Sequence, residues 1–109
     1  MVTEDLAVRF LREKRYVILA RNTRVYGPEI DILALNIESN EKNYTFFEVK
    51  GVRKANYLSG FPCLSIHQIN RYRKAMARLQ AKSKKIMNLN MGLLVFDEQG
   101  ELLEFLPVI

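Results

Sequence analysis

The sequence predicts an α/β domain in which a mixed sheet packs between two helices, and three observations carry that reading. Apolar residues recur at helical spacing in two stretches, Leu6, Ala7, Phe10 and Leu11 near the start and Ile69, Tyr72, Met76 and Leu79 in the second half. Shorter runs rich in β-branched and aromatic residues lie between and after them, bounded by polar or Gly-containing segments. The resulting order, α-β-β-β-α-β-β, buries both helical stripes when the sheet lies between them. With 109 residues, 49% hydrophobic and 27% charged, the chain reads as one globular domain over residues 1–109 with a modest core.

The first helix is expected from Glu4 to Lys14, with Thr3 as its N-cap and Asp5, Arg9 and Arg12 on its polar side. Glu4 breaks the pattern, because Glu4, Ala7, Val8 and Leu11 follow the i, i+3, i+4, i+7 spacing of one face. An acid in the first turn also suits the helix dipole wherever it points, so a functional and a purely helical role both remain open. Tyr16 to Ala20 reads as a short buried strand, Arg21 to Tyr26 as a polar connection and Gly27-Pro28 as a turn. Strands follow at Glu29 to Ile37 and Tyr44 to Lys50, joined by a polar hairpin loop from Glu38 to Asn43. Gly51 to Pro62 is expected to be irregular. It contains Arg53, Lys54 and Tyr57, a mixture that suits either a nucleic-acid clamp or an ordinary surface loop. The second helix starts at Ser65 or Ile66 and runs to Lys84, with His67 near its start in a capping or solvent-exposed role. Met91 to Phe96 and Leu102 to Leu106 close the chain as a strand pair around Glu98-Gln99-Gly100.

Two of these strands carry carboxylates where a strand should be apolar: Glu29-Ile30-Asp31-Ile32-Leu33, and Phe46-Phe47-Glu48-Val49-Lys50 seventeen residues after Asp31. Alternation places Glu29 and Asp31 on one face with Ile30, Ile32 and Ala34 on the other, and groups Phe46, Glu48 and Lys50 opposite Phe47 and Val49. If the two strands are neighbours, Asp31, Glu48 and Lys50 converge. Burying an unpaired carboxylate is costly, and a metal ion or an ammonium group relieves that cost. Mg²⁺ takes one or two carboxylates and completes its shell with water and phosphate oxygens. A nearby lysine can orient a water or offset charge on a phosphate. The same residues also fit a same-face ion pair on a solvated sheet, and the strand pattern leaves both readings open.

The net charge of +5 is unevenly distributed. Between Val49 and Phe96 there is no Asp or Glu, yet ten Lys and Arg, among them Arg53, Lys54, Arg71, Lys74, Arg78 and Lys82. Arg71, Lys74, Arg78 and Lys82 recur at spacings of three and four along one helical face. A solvated helix face normally mixes both signs, so the absence of acids favours contact with a polyanion, nucleic acid above all. No apolar run approaches the ~20 residues of a membrane span, and Met1 leads into a charged amphipathic segment instead of a signal peptide. The single Cys63 permits no internal disulfide and reads as a small buried residue, consistent with a cytoplasmic setting without membrane association.

A strand carboxylate followed by Glu-x-Lys, with a helix before and after, resembles the PD-(D/E)xK nuclease superfamily and its restriction-endonuclease-like fold. Glu4-Asp5-Leu6-Ala7, Tyr16-Val17-Ile18-Leu19-Ala20-Arg21-Asn22, Gly27-Pro28-Glu29-Ile30-Asp31-Ile32 and Phe47-Glu48-Val49-Lys50 together resemble the YraN-like family within it, over roughly residues 3 to 75. The resemblance implies metal binding by Asp31 and Glu48, catalytic assistance by Lys50 and a contribution from Glu4. It makes Glu29 a supporting group or an additional ligand. Gln68 and Tyr72 are similar to the Gln-x-x-x-Tyr element of RecB-like nucleases, which would set Gln68 behind the ligands, although Tyr72 also lies on the core stripe. Family members usually carry Gly where Arg15 stands, which implies a different turn before the first strand.

The combined expectation is an endonuclease dependent on Mg²⁺, with Mn²⁺ as a substitute, that hydrolyses DNA phosphodiesters and selects by structure. Arg53, Lys54, Arg71, Lys74, Arg78 and Lys82 would contact the nucleic acid, and two-site cutting would need a homodimer. The alternatives are a catalytically silent nucleic-acid-binding module and an interaction subunit of a repair or restriction assembly.

Overall fold

The first helix, α1 (Thr3–Glu13), places Glu4 and Asp5 in its first turn and Arg12 in its last, so both ends complement the backbone dipole. This computed structural model describes residues 3–38, 42–60 and 64–108. Thr3 lies inside α1, where the sequence suggested an N-cap. The helix stops because Arg15 adopts the left-handed region at φ 66°, with Lys14 N–H donating to the Phe10 carbonyl and Arg15 N–H to the Arg12 carbonyl. That is the conformation a glycine would adopt most easily. The Gly-type turn is therefore kept despite the arginine, contrary to the expectation of a different turn.

Strand β1 (Tyr16–Arg24) is longer than the apolar pattern suggested, since Arg21 to Arg24 continue it. Arg21, Thr23 and Arg24 pair with Ile32, Ile30 and Glu29 of β2 (Glu29–Asn36), after a bulge between Ile18 and Ala20. An edge strand tolerates such polarity because its outer side faces solvent. β2 then pairs antiparallel with β3 (Asn43–Gly51). Helix α2 (Lys54–Leu58) replaces part of the irregular segment expected from Gly51 to Pro62. Five residues without a buried position are too few to display helical periodicity. Pro62 and Cys63 lie outside the described residues, as does the middle of the Glu38 to Asn43 loop.

Helix α3 (Ile66–Lys82) is opened by a capping box, in which Ser65 accepts from the Gln68 N–H and Gln68 accepts from the Ser65 N–H. It ends two residues before Lys84, where Ser83 N–H donates to the Leu79 and Gln80 carbonyls. The connection through α2 and α3 supplies the crossover that β3 and β4 (Asn88–Phe96) need, since those two strands run parallel. β5 (Leu102–Pro107) pairs antiparallel with β4 and completes a five-stranded mixed sheet in the order β1-β2-β3-β4-β5. The α/β class and the placement of the sheet between helices match the sequence reading, with α2 added.

Each helix owns one face. Ala7, Val8 and Leu11 of α1 pack on Ile32, Ala34, Phe47, Leu94 and Phe96. Tyr72 and Ala75 of α3 pack on Ile30, Phe46 and Met91. Strand β4, between β3 and β5, is buried without interruption from Met91 to Phe96, as expected of a strand covered on both sides. Gly92 sits directly beside Phe47, whose ring would lie 2.6 Å from any Cβ there. The close approach lets Phe47 stack edge-on against Tyr16 at 5.5 Å between centroids.

Candidate functional site

The β2–β3 ladder opens where the carboxylates stand. Its pairing begins at Ile32↔Phe47, so the next pair in register, Asp31 opposite Glu48, lies just beyond the last hydrogen-bonded rung. Strict alternation also fails at this point, because Ile30 joins the core under α3 whereas Ile32 and Ala34 join the core under α1. The parted backbones are stitched by side chains instead. Asp31 Oδ2 accepts from Val49 N–H at 2.8 Å. The Tyr72 hydroxyl accepts from Asp31 N–H at 3.2 Å and donates to the Phe47 carbonyl at 3.1 Å. One phenol thus satisfies a backbone donor and a backbone acceptor that the opened ladder would otherwise orphan.

Glu48 stands between Asp31, opposite it in register across the opened ladder, and Lys50. Glu48 is the most enclosed of them, its side chain only 6% exposed, and Lys50 Nζ lies 3.7 Å from its Oε1. Burial, and secondarily the negative charge of Asp31, push the Glu48 carboxyl above its ordinary value of 4.5, while Lys50 opposes the shift. Burial also raises the Tyr72 hydroxyl, reinforced by the charges of Glu48 and Asp31, so it stays a phenol and keeps its proton for Phe47.

Arg71 has a partner that its position on the basic helical face did not disclose: Nη2 lies 3.2 Å from Glu48 Oε2. The signal was available in principle, since Arg71 immediately precedes Tyr72 and so stands at the same level of α3.

The remaining site residues divide. Glu29 is exposed at the start of β2. Gln68 lies in the capping box, where its side-chain oxygen accepts from Ser65 N–H. Glu4 belongs to α1, which covers the opposite face of the sheet, and its Oε1 is buried without a hydrogen-bond partner. Among the described residues no group of three or more His, Cys, Asp and Glu converges, so Glu4 does not join Asp31 and Glu48 in a three-acid cluster.

The basic residues have definite surroundings. His67, Asn70, Arg71, Lys74 and Arg78 line a groove of about 400 Å³ with Gly27 and Pro28. Arg78 donates to the Tyr26 carbonyl and so braces the turn that leads into Glu29 and Asp31. Gly27 has φ 111°, and a Cβ there would lie 2.7 Å from Arg78 Nη1. Lys82 is exposed in the last turn of α3. Lys54 and Arg53 stand elsewhere. Lys54 N–H donates to Glu98 Oε1, its ammonium lies 3.9 Å from Glu101, and Arg53 lines a separate cavity of about 580 Å³ with Asp97 and Glu98.

Residues 3–97 match the model of a family described as "Uncharacterised protein family UPF0102". The chain belongs to the UPF0102 family. That span takes in α1, the turn before β2, both strand carboxylates, Lys50 and all of α3. Among relatives, a UPF0102 protein of Geobacter sulfurreducens is 37% identical over 84 residues, which cover 77% of this chain and 61% of the Geobacter protein. A UPF0102 protein of Clostridium acetobutylicum is 36% identical over 80% of this chain and 67% of its own length. One from Dictyoglomus turgidum is 29% identical over 95% of this chain and 89% of its own. The family is the YraN-like family that the four sequence blocks resembled.

Proposed function

We propose that this UPF0102 protein is a metal-dependent endonuclease of the PD-(D/E)xK type that hydrolyses DNA phosphodiester bonds and selects its substrate by structure. The observation that carries this reading is the meeting of Asp31 and Glu48 where the β2–β3 ladder opens, with the Lys50 ammonium beside them. Two adjacent carboxylates, one of them buried, make an oxygen donor set suited to Mg²⁺ or Mn²⁺, and Asp31 and Glu48 would hold the ion. When bound, a divalent cation supplies Lewis acidity and lowers the pKa of water.

The chain's own residues do the rest. Val49 N–H fixes the Asp31 carboxylate, and Tyr72 holds the two strand ends in a set relation, so little reorganisation accompanies the reaction. Lys50 can orient an attacking water or offset charge developing on the phosphate. Arg71, Lys74 and Arg78 line a positive groove beside these groups and suit the flanking phosphates, Lys82 continues the basic face of α3, and Arg53 and Lys54, beside acidic residues at a separate cavity, would make only peripheral contacts. Backbone phosphates carry no sequence information, so cations that meet phosphates along this groove favour recognition of DNA shape. Cutting at two sites would use a homodimer, and the protein would act in the cytoplasm.

One observation favours a second reading, a nucleic-acid-binding module without turnover: Glu48 already has protein cations on both oxygens. Incubation with Mg²⁺ or Mn²⁺ against duplex, single-stranded, flap and four-way-junction DNA separates the two. Cleavage of at least one substrate, lost in Lys50→Ala, is the expected result. Binding without cleavage across the whole panel would select the module.

A further inference from the structure

Both oxygens of Glu48 are engaged by the protein itself. Lys50 Nζ stands 3.7 Å from Oε1, and Arg71 Nη2 stands 3.2 Å from Oε2. The Arg71 contact is incomplete, however, because its Nε is buried and has no hydrogen-bond partner. A guanidinium normally meets a carboxylate or phosphate through two parallel bonds, and a buried N–H left unmade is costly. The same side chain is 40% exposed and lines the groove with Lys74 and Arg78, where like charges surround it and Glu48 is its bound anion. Arg71 thus stands between two anions, one present in the protein and one that a nucleic acid would bring.

We propose that Arg71 is a counter-ion gate: it occupies Glu48 in the free protein and transfers to a DNA phosphate, so that Glu48 is released to a divalent cation only when the nucleic acid is in place. The proposal rests on the metal-dependent reading above. Charge explains the order. When Asp31 and Glu48 are ionised, Lys50 and Arg71 cancel them, and a divalent cation entering alone would leave a double positive charge uncompensated. Phosphates arriving in the groove supply the missing negative charge and take the guanidinium bidentately. Cation and DNA therefore bind with positive coupling, each raising the affinity of the other by the same factor. Arg71 acts through Glu48 and is a positioning residue. The gate would keep a nuclease from holding a loaded cation away from its substrate.

The test measures Mn²⁺ binding, not turnover. Electron paramagnetic resonance gives Mn²⁺ affinity for the parent protein, Arg71→Met, Arg71→Gln and the charge control Arg73→Met, each alone and with a saturating phosphorothioate duplex after subtraction of binding to the duplex itself. Thermal melts establish that each variant is folded, and Arg71→Gln serves if Arg71→Met is not. The parent should bind Mn²⁺ weakly alone and at least tenfold more tightly with the duplex. Arg71 variants should reach the tighter value without DNA and gain less than twofold from it, whereas Arg73→Met should behave as the parent does. Equal Mn²⁺ affinity of parent and Arg71 variants without DNA, with measurable binding in both, overturns the gate and leaves the metal-dependent reading standing. An increase in Arg73→Met equal to that in the Arg71 variants also overturns it, since a general field effect would then suffice. Absence of Mn²⁺ binding in every protein, with and without duplex, overturns the gate and the metal-dependent reading together.

Discussion

Two side chains from two elements, Tyr72 of α3 and Glu48 of β3, each make a separate prediction. Tyr72 bridges Asp31 N–H and the Phe47 carbonyl in a fully buried position. Tyr72→Phe keeps the ring but strands both backbone groups, so chemical denaturation should show a loss of about 1–3 kcal/mol. A loss below about 0.5 kcal/mol would mean that the opened ladder has other partners. Glu48 gives a prediction in pH. Its folded-state pKa lies above its ordinary value of 4.5, so the native state holds the proton more tightly than the unfolded chain does. This contribution is fully present below pH 4.5 and declines as pH rises through the elevated folded value. Glu48→Gln should remove that decline, so thermal melts in EDTA should show a stability difference in favour of the variant that grows from acid toward neutral pH. A constant difference would rule out Glu48 as the source. These residues were unequally legible in the sequence. Asp31, Glu48 and Lys50 announced themselves as charges within apolar strands. Arg71 did not, because helical spacing assigns it to a charged face and says nothing of which residue of another element that face meets.

The elements were read best where burial imposes a period and worst where it does not. α1 and α3 each bury one stripe, and both were visible in the spacing of their apolar residues. β1 was cut short at Ala20 because Arg21, Asn22 and Arg24 look like loop; Arg21 and Arg24 are held in the strand by pairing with Ile32 and Glu29 of β2, which no local pattern records. α2 was missed for the same reason, being short and without a buried residue. Gln68 shows that local capping chemistry, which a motif resemblance does not record, engages its side-chain oxygen. The turn between α1 and β1 yields the prediction at this scale. Arg15 holds a left-handed conformation that costs a non-glycine residue about 1–2 kcal/mol, and its ion pair with Glu38 at 3.5 Å is solvent-exposed and worth little. Arg15→Gly should therefore stabilise the protein by about 0.5–1 kcal/mol after the added chain entropy of glycine is counted, measured by urea denaturation. A destabilised variant would show that Arg15 contributes more than backbone conformation.

Across the whole molecule, the fold divides its labour between the two faces of one sheet. The α1 face is a packed core around Phe47, with Tyr16 against its ring and the more exposed Phe105 at its edge. The α3 face carries apolar packing under Tyr72 and Ala75 and, at the end where β2 and β3 part, the carboxylates and the basic groove. The alternation of β3 makes this possible, since Phe47 and Val49 serve one face while Glu48 and Lys50 serve the other. Among the described residues no helix is long and apolar enough to cross a membrane. The central claim is that this charged end performs phosphodiester hydrolysis, and Lys50 tests it most directly. A lysine that merely pairs with Glu48 on a part-exposed surface is worth ~0–1 kcal/mol and would hardly affect any rate. One that assists the transition state should, in Lys50→Met at saturating Mn²⁺, leave DNA affinity within about twofold of the parent while slowing the chemical step by ~10² or more. Single-turnover cleavage of a four-way junction or flap substrate by saturating enzyme isolates that step: a hundredfold loss with unchanged binding is the predicted result, and cleavage by Lys50→Met at the parental rate would contradict the account.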